Sequence, residues 1–268
     1  MARLFLDSDN RFSRRRYFHC VTCWCALPFL PLLSCGSGRR HVDLGLSRVS
    51  WKASSADVYF VDTRTSRIAI YGRNSNGNRI RNFENLRDYA DLQGNKLAFA
   101  TNGGMFHAGY DPVGLLVQDG IERSPINLTK GEGNFFLKPN GVFLISGDGR
   151  AAIVPSENFS RFAQGVRAAT QSGPLLVIDG RINSVFRAGS ANRFVRSGVG
   201  VIDPHTVVFA LSSKPVNFWD FARLFRDVLG CKNALYLDGA ISKFYLPSKK
   251  EFAGGGEFGV LIGVTEIP

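Results

Sequence analysis

The sequence predicts an α+β fold: extensive mixed or antiparallel β-sheet with a few packed helices, in a single domain. Three observations lead there. Short β-patterned runs recur along the chain and most are closed by glycine, aspartate or asparagine. Only two segments carry helical periodicity. Neither the strand–helix alternation of a doubly wound sheet nor a fixed-period repeat is present. At 268 residues the chain is long enough to bury a core without disulfide staples. Its 44% hydrophobic and 21% charged content suits a globular protein, and 29 glycines with 22 phenylalanines favour turns and aromatic-packed strands.

Residues 1–35 read as an export address. Arg14, Arg15 and Arg16 precede a stretch to Ser34 with no charge apart from His19, the basic-then-apolar order of a secretory signal. Pro28 and Pro31 argue against a permanent membrane helix. The end, "LLSC", resembles a bacterial lipobox whose cysteine, Cys35, would be lipidated; Leu33 departs from the smaller residue commoner there. "SRRRYF" also resembles a twin-arginine export motif. Cys20, Cys23 and Cys25 have no second ligand pair to make a metal site, and Cys231, in the body, reads as a packed thiol. A basic linker is expected over 36–54 and the folded domain over 55–268.

In the domain, "DVYFVD" (57–62) and "RIAIYG" (67–72) flank "TRTS" and predict a hairpin. "NFENLRDYADLQGN" (82–95) predicts a short helix, with Asn82 as N-cap, Phe83, Leu86 and Ala90 on one face, and Gly94 as the stop. "KLAFAT" (96–101) is a strand ending at "NGGMF", and "VGLLVQDG" (113–120) a strand with an Asp-Gly turn. "NFFLKPNGVFLISGDG" (134–149) predicts a hairpin turning at Pro139-Asn140-Gly141. "GPLLVIDG" (173–180) and "GVGVIDPHTVVFALSS" (198–213) repeat the strand-and-turn pattern. The clearest helix is "NFWDFARLFRDVLGC" (217–231), capped by Asn217, striped by Phe218, Phe221, Ala222, Phe225, Val228 and Leu229, and stopped at Gly230. "ALYLDG" (234–239) and "FGVLIGVT" (258–265) supply late strands.

The net charge is +11, of which +3 lies in the first 34 residues. The remaining surplus favours anionic partners such as phosphorylated glycans or anionic lipid. No basic run interleaved with aromatics, zinc spacing or helix-turn-helix pattern appears, so nucleic acid is not an expected partner. No GxxxxGK[ST] loop or Ser-His-Asp arrangement is present, and no cofactor or metal is expected. His107 could border a pocket but reads more simply as structural.

Several strand ends share one punctuation, glycine beside a small polar or charged residue: Asn102, Gly103 and Gly104; Glu132 and Asn134; Ser172 and Gly173; Arg196 and Gly198; Asp238, Gly239 and Ser242. Each alone is a common turn. Converging, they would form a pocket of amide, hydroxyl, guanidinium and carboxylate groups suited to a sugar phosphate. The set and its order, "TNGGMF", "SGPLLVIDG", "RSGVGV" and "LYLDGAIS", resemble the phosphodiester glycosidase family over about residues 55–266, and the longer stretches "GNFFLKPNGVF" and "PVNFWDFARLFRDVLGCKNALYLDG" look like its small bacterial exported branch.

The resemblance implies an exported hydrolase of a sugar-1-phosphodiester or related envelope glycan. Asp238 is then the candidate catalytic carboxylate, with Glu132 or Asp179 as partner, and Arg196 the phosphate ligand through its planar fork. Asn102, Asn134, Ser172, Ser242 and the backbones of Gly103, Gly104, Gly173 and Gly239 would bind substrate. One departure stands out: uncovering-enzyme-type members read Asp-Gly-Gly-Gly-Ser at the last motif, where this chain has Ala240 and Ile241. The competing expectation is a non-catalytic envelope protein that binds glycan or protein on the same scaffold.

Overall fold

The computed structural model describes residues 43–51, 54–238, 241–249 and 255–267. The export segment and Cys35 lie outside them, as do Gly239 and Ala240. Three sheets carry the fold. The largest has seven strands: β1 (Gly45–Trp51), β2 (Ser54–Asp62), β10 (Leu175–Ile178), β11 (Arg181–Ile182), β12 (Ser197–Asp203), β13 (Thr206–Ser212) and β14 (Asn233–Asp238), in the order β1-β2-β13-β12-β14-β10-β11. A second contains β3 (Ser66–Tyr71), β4 (Leu97–Asn102), β15 (Phe244–Tyr245) and β16 (Leu261–Glu266), ordered β15-β4-β16-β3. The third contains β5 (Leu116–Gln118), β6 (Ile121–Ser124), β7 (Gly141–Ser146), β8 (Ala151–Pro155) and β9 (Val166–Ser172), ordered β6-β5-β9-β7-β8. The pairings are antiparallel, so the α+β expectation holds in its antiparallel form.

Strand alternation sorts side chains between two cores. On β13, Val207 and Phe209 face a core shared by all three sheets, with Phe99, Phe143, Val199, Leu235 and Ile262. Val208 and Ala210 face the opposite side, where they meet helix α2 (Phe218–Arg223) and its continuation as a π-helical turn over Leu224–Val228. Asn217 caps α2, its Oδ1 accepting from the Asp220 amide at 2.8 Å, and Phe221 and Phe225 are fully buried as the stripe requires. Gly198 and Gly200 of β12 make room for them. A Cβ on Gly200 would stand 2.5 Å from Cys231 Sγ and 2.7 Å from the Phe225 ring; one on Gly198 would crowd both phenylalanine rings. The glycines of "RSGVGV" therefore serve helix packing. Cys231 is buried, and burial pushes its thiol up from the ordinary value, as a packed thiol requires. The first helix, α1 (Phe83–Leu92), buries Phe83, Leu86 and Ala90 against the four-stranded sheet, with Asn82 as its cap.

Three expectations are corrected. The linker assigned to 36–54 overlaps β1, a full edge strand paired with β2 from Gly45↔Phe60 to Trp51↔Ser54. The runs 57–62 and 67–72 do not form a hairpin: β2 already has β1 and β13 on its two edges, and β3 pairs with β16 in another sheet. The Thr63 amide donates to His205 O at 2.9 Å, tying "TRTS" to the β12–β13 connection. Nor do residues 134–149 fold as one hairpin about Pro139-Asn140-Gly141. Asn134–Phe136 is a 3-10 turn, Asn140 Nδ2 donates to Phe135 O at 3.0 Å, and both edges of β7 are taken by β8 and β9.

Candidate active site

The ends of β4, β9, β12 and β14 converge. Asp238 closes β14 opposite Ser197, the first residue of β12. Asn102 closes β4 and is 2% exposed; its Nδ2 donates to Ser197 Oγ at 3.0 Å, and its Oδ1 accepts from the Lys243 amide at 3.2 Å. Asn102 therefore joins the four-stranded sheet to the seven-stranded one. The Asp238 carbonyl accepts from two hydroxyls, Ser242 Oγ at 2.6 Å and Ser197 Oγ at 3.3 Å. Ser172, fully buried at the end of β9, donates its hydroxyl to Leu237 O at 3.0 Å. The backbone around Asp238 is thus held from three directions before any ligand arrives.

Asp238 faces an open pocket of about 400 Å³. Glu132, Asn134 and His107 line it with Asp238; Phe106, Phe135, Phe136 and Ile241 supply its apolar walls. It combines two carboxylates with aromatic side chains, the composition that grips a sugar ring by stacking and by hydroxyl hydrogen bonds. No lysine or arginine is among the described residues that line it. No group of three or more His, Cys, Asp or Glu side chains among the described residues is arranged to hold a metal ion.

Arg196 sits elsewhere. It is fully buried, with Nε donating to Val216 O at 2.8 Å and Nη2 to Asn192 Oδ1 at 2.7 Å and Asn192 O at 3.1 Å. Its guanidinium lies 3.7 Å over the Phe218 ring and 5.3 Å from that of Tyr236, and Nη1 has no partner at hydrogen-bonding geometry. Burial pushes this group down from the ordinary arginine value, with nearby Tyr236 pushing it back up. The side chain is fully buried and both Nε and Nη2 are taken by the protein, so a two-pronged phosphate contact is not open to it in this arrangement, and the expected direct role is corrected. Arg196 instead stands behind the pocket wall. Burial raises the Tyr236 hydroxyl to about 12; the Arg196 charge lowers it, Asp238 raises it, and contacts with Arg196 and Asn134 lower it. Tyr236 thus links the buried cation to Asn134 on the pocket.

The remaining candidates divide. Glu132 and Asn134 reach the pocket, and so does His107. Ser242 reaches Asp238 through its carbonyl. The amides of Gly103 and Gly104 are engaged, donating to Val260 O at 2.8 Å and Thr170 Oγ1 at 3.2 Å, and a Cβ on Gly104 would stand 2.2 Å from Gln171 O. Gly173 is packed as closely, 2.6 Å from Asn140 Cβ by the same measure. These glycines allow strand ends to approach one another. Asp179 is corrected as the partner carboxylate: it occupies the β10–β11 turn with φ 47°, its amide donating to Asn233 Oδ1 at the far end of β14. Gly239 lies outside the described residues. Two residues were not singled out from sequence. Ser197, beside Arg196 in "RSGVG", bridges Asn102 and Asp238; buried Gln171 accepts at Oε1 from the Leu115 and Asn127 amides and so fixes the segment that leads to Glu132.

The sequence profile of the phosphodiester glycosidase (NAGPA) family matches residues 95–253. The chain is also 35% identical over 192 residues to the uncharacterized protein YigE of Escherichia coli K12, spanning 72% of this chain and 74% of that protein. The chain belongs to the phosphodiester glycosidase family. The matched span holds Asn102, Glu132, Ser172, Arg196, Asp238 and Ser242, so all five groups of candidate residues fall within it. Among solved structures the fold is similar to the catalytic domain of zebrafish N-acetylglucosamine-1-phosphodiester alpha-N-acetylglucosaminidase, auto-inhibited by its pro-peptide, with a TM-score of 0.57, 15% identity, and coverage of 84% of this chain and 83% of that one. A hypothetical protein from Synechocystis gives a TM-score of 0.50 at 14% identity, covering 83% of this chain and 61% of the other. At such identities these structures show a shared fold. Ile241, one of the two residues that depart from the Asp-Gly-Gly-Gly-Ser pattern of the resemblance, lines the pocket.

Proposed function

We propose that this phosphodiester glycosidase family member is an exported hydrolase that cleaves a sugar-1-phosphodiester or a related envelope glycan, anchored at the membrane through lipidated Cys35. The observation that carries the reading is the shared pocket of Asp238 and Glu132, with the Asp238 backbone held by Ser242 and Ser197. Cleavage at an anomeric carbon develops positive charge on the sugar ring, and a fixed carboxylate stabilises it. Asp238 takes that part. Glu132, exposed at the pocket mouth, serves as the second carboxylate that handles a proton on water or on the leaving oxygen. A phosphate leaving group needs little protonation, which suits a site with one carboxylate on a firmly held backbone and one exposed acid. Asn134 orients sugar hydroxyls, and Arg196 with Tyr236 positions Asn134 from behind.

The second reading is a glycan-binding protein without turnover. Ile241 favours it, because a branched aliphatic side chain narrows a space that glycine leaves open. One experiment separates the two: incubate the processed protein with a panel of sugar-1-phosphodiesters differing in sugar and aglycone, and compare wild type with Asp238→Asn. Sugar release by wild type that collapses in the variant supports the hydrolase; saturable binding with no release supports the binder. Mass spectrometry of the native N-terminus, in wild type and Cys35→Ala, tests lipidation.

A further inference from the structure

From Gly180 to Ile202 the chain carries four arginines and no acid. Arg181, Arg187 and Arg193 of this stretch are exposed, and Lys214 is exposed nearby, where Arg193 Nε reaches Pro215 O at 3.3 Å. The same loop exposes large apolar side chains: Phe194 is 51% exposed and Val185 46%. Neither results from a loosely held loop. Phe186 is buried and stacks on Phe218 with ring centroids 5.0 Å apart. Phe194 and Val216 exchange backbone hydrogen bonds of 3.2 and 2.8 Å, and Arg196 clamps Asn192 to Val216 from within. The scaffold therefore presents phenylalanine, valine and arginine outward in a fixed arrangement. Asp220 lines one depression with Arg193 and Lys214, which leaves the cations in excess there. Exposed apolar residues held among such an excess fit a surface that is both anionic and apolar beneath: a bilayer with anionic headgroups. A soluble polyanion would satisfy the arginines and leave Phe194 and Val185 in water.

We propose that the loop over 181–195 is a docking surface for an anionic lipid bilayer. The loop leads through Arg196 into Ser197, which pairs with Asp238, so the docking segment is continuous in the chain with a strand that carries the pocket. The inference goes beyond the hydrolase reading and does not depend on it, since docking is measured with no substrate present.

The test uses the full chain carrying Phe194→Trp, with wild type as the blank, titrated with vesicles of phosphatidylglycerol and phosphatidylcholine or of phosphatidylcholine alone. The emission added at position 194 is expected to shift to the blue and to be quenched by brominated lipid in anionic vesicles only. In the Phe194→Trp background, Arg187→Gln with Arg193→Gln is expected to weaken the partitioning read at position 194 about 25-fold, each basic residue at an anionic surface being worth roughly a factor of five. Three outcomes overturn the proposal. The added emission stays unchanged while the protein binds through its N-terminal segment; loss of both arginines leaves the partitioning read at position 194 within twofold; or soluble polyphosphate produces the same spectral shift as the vesicles, which assigns the loop to a soluble polyanion.

Discussion

Asp179 and Asp238 stand at opposite ends of one antiparallel strand pair, and both are followed by glycine. In sequence "VIDG" and "YLDG" are near twins. In the fold they differ in kind. Asp179 and Gly180 both take positive φ, 47° and 77°, the signature of a tight hairpin turn, as do Asp119 and Gly120 at 51° and 78°. Asp238 remains in its strand, paired with Ser197, and its carbonyl is gripped by two serine hydroxyls over a pocket that also holds Glu132. The dipeptide alone does not make a site. What makes one is the company brought by other strand ends, and above all the serine four residues on.

The largest test of this contrast is charge removal at the two aspartates. Asp238→Asn should lower turnover on the best substrate on the order of 10²–10³-fold while the fold persists, because one positioned electrostatic group is lost. Steady-state kinetics with circular dichroism checks it, and a folded variant with full activity would reduce Asp238 to a turn residue after all.

Next comes alkaline titration at Tyr236, which stands two residues before Asp238. Its folded value, about 12, lies above that of a free tyrosine, chiefly through burial. The neutral form is therefore the one the fold tolerates. That stability is fully present below pH about 10 and is lost as the pH rises toward 12, by about 3 kcal/mol for two pKa units. Tyr71, raised likewise to about 12 by burial, adds a similar loss. Denaturant midpoints measured from pH 9 to 12 should fall less steeply in Tyr236→Phe than in wild type; parallel curves would show that Tyr236 ionises as freely as in solvent.

A smaller effect separates the two turns by their supports. Ser242→Ala removes one of the hydroxyls on the Asp238 carbonyl and should cost about 1 kcal/mol of stability with a several-fold drop in kcat/KM. Combined with Ser197→Ala, the losses should fail to add, since both hydroxyls serve one oxygen. Additive losses in that double-mutant cycle would mean that they act separately. The smallest effect belongs to Asp179→Asn. Asparagine suits the left-handed turn position, so stability should stay within about 0.5 kcal/mol and activity should not change. A loss of activity there would place function at the wrong end of the strand pair.

Much of the fold was legible because it is locally encoded. Asn82 and Asn217 announce their helices by side-chain oxygens that satisfy amides three residues on, and Gly94 and Gly230 end them with positive φ. Strand boundaries followed from alternation and turn residues. What was illegible is what only the assembled sheets decide. Nothing local tells β2 that both its edges will be filled, so "TRTS" passes for a hairpin turn. The site divides the same way. Asp238, Glu132 and Asn134 were recognisable as chemistry-bearing residues beside glycine, although only Asp238 closes a strand and the other two lie in the loop between β6 and β7. Arg196 was misread because its partners, Asn192, Val216 and Phe218, impose burial through tertiary packing. Ser197 went unnoticed because a serine becomes informative only when its two neighbours across the sheets are known.

The contact between Asn102 and Ser197 has a consequence for how the protein would fail. It is one amide–hydroxyl bridge between separate sheets, and the pocket lies where they meet. Heat or denaturant that parts the sheets would abolish the pocket at the first separation, while each sheet could still hold its own ladder of hydrogen bonds. Loss of function should then precede loss of the far-ultraviolet signal, which makes the pocket a sensitive gauge of sheet docking.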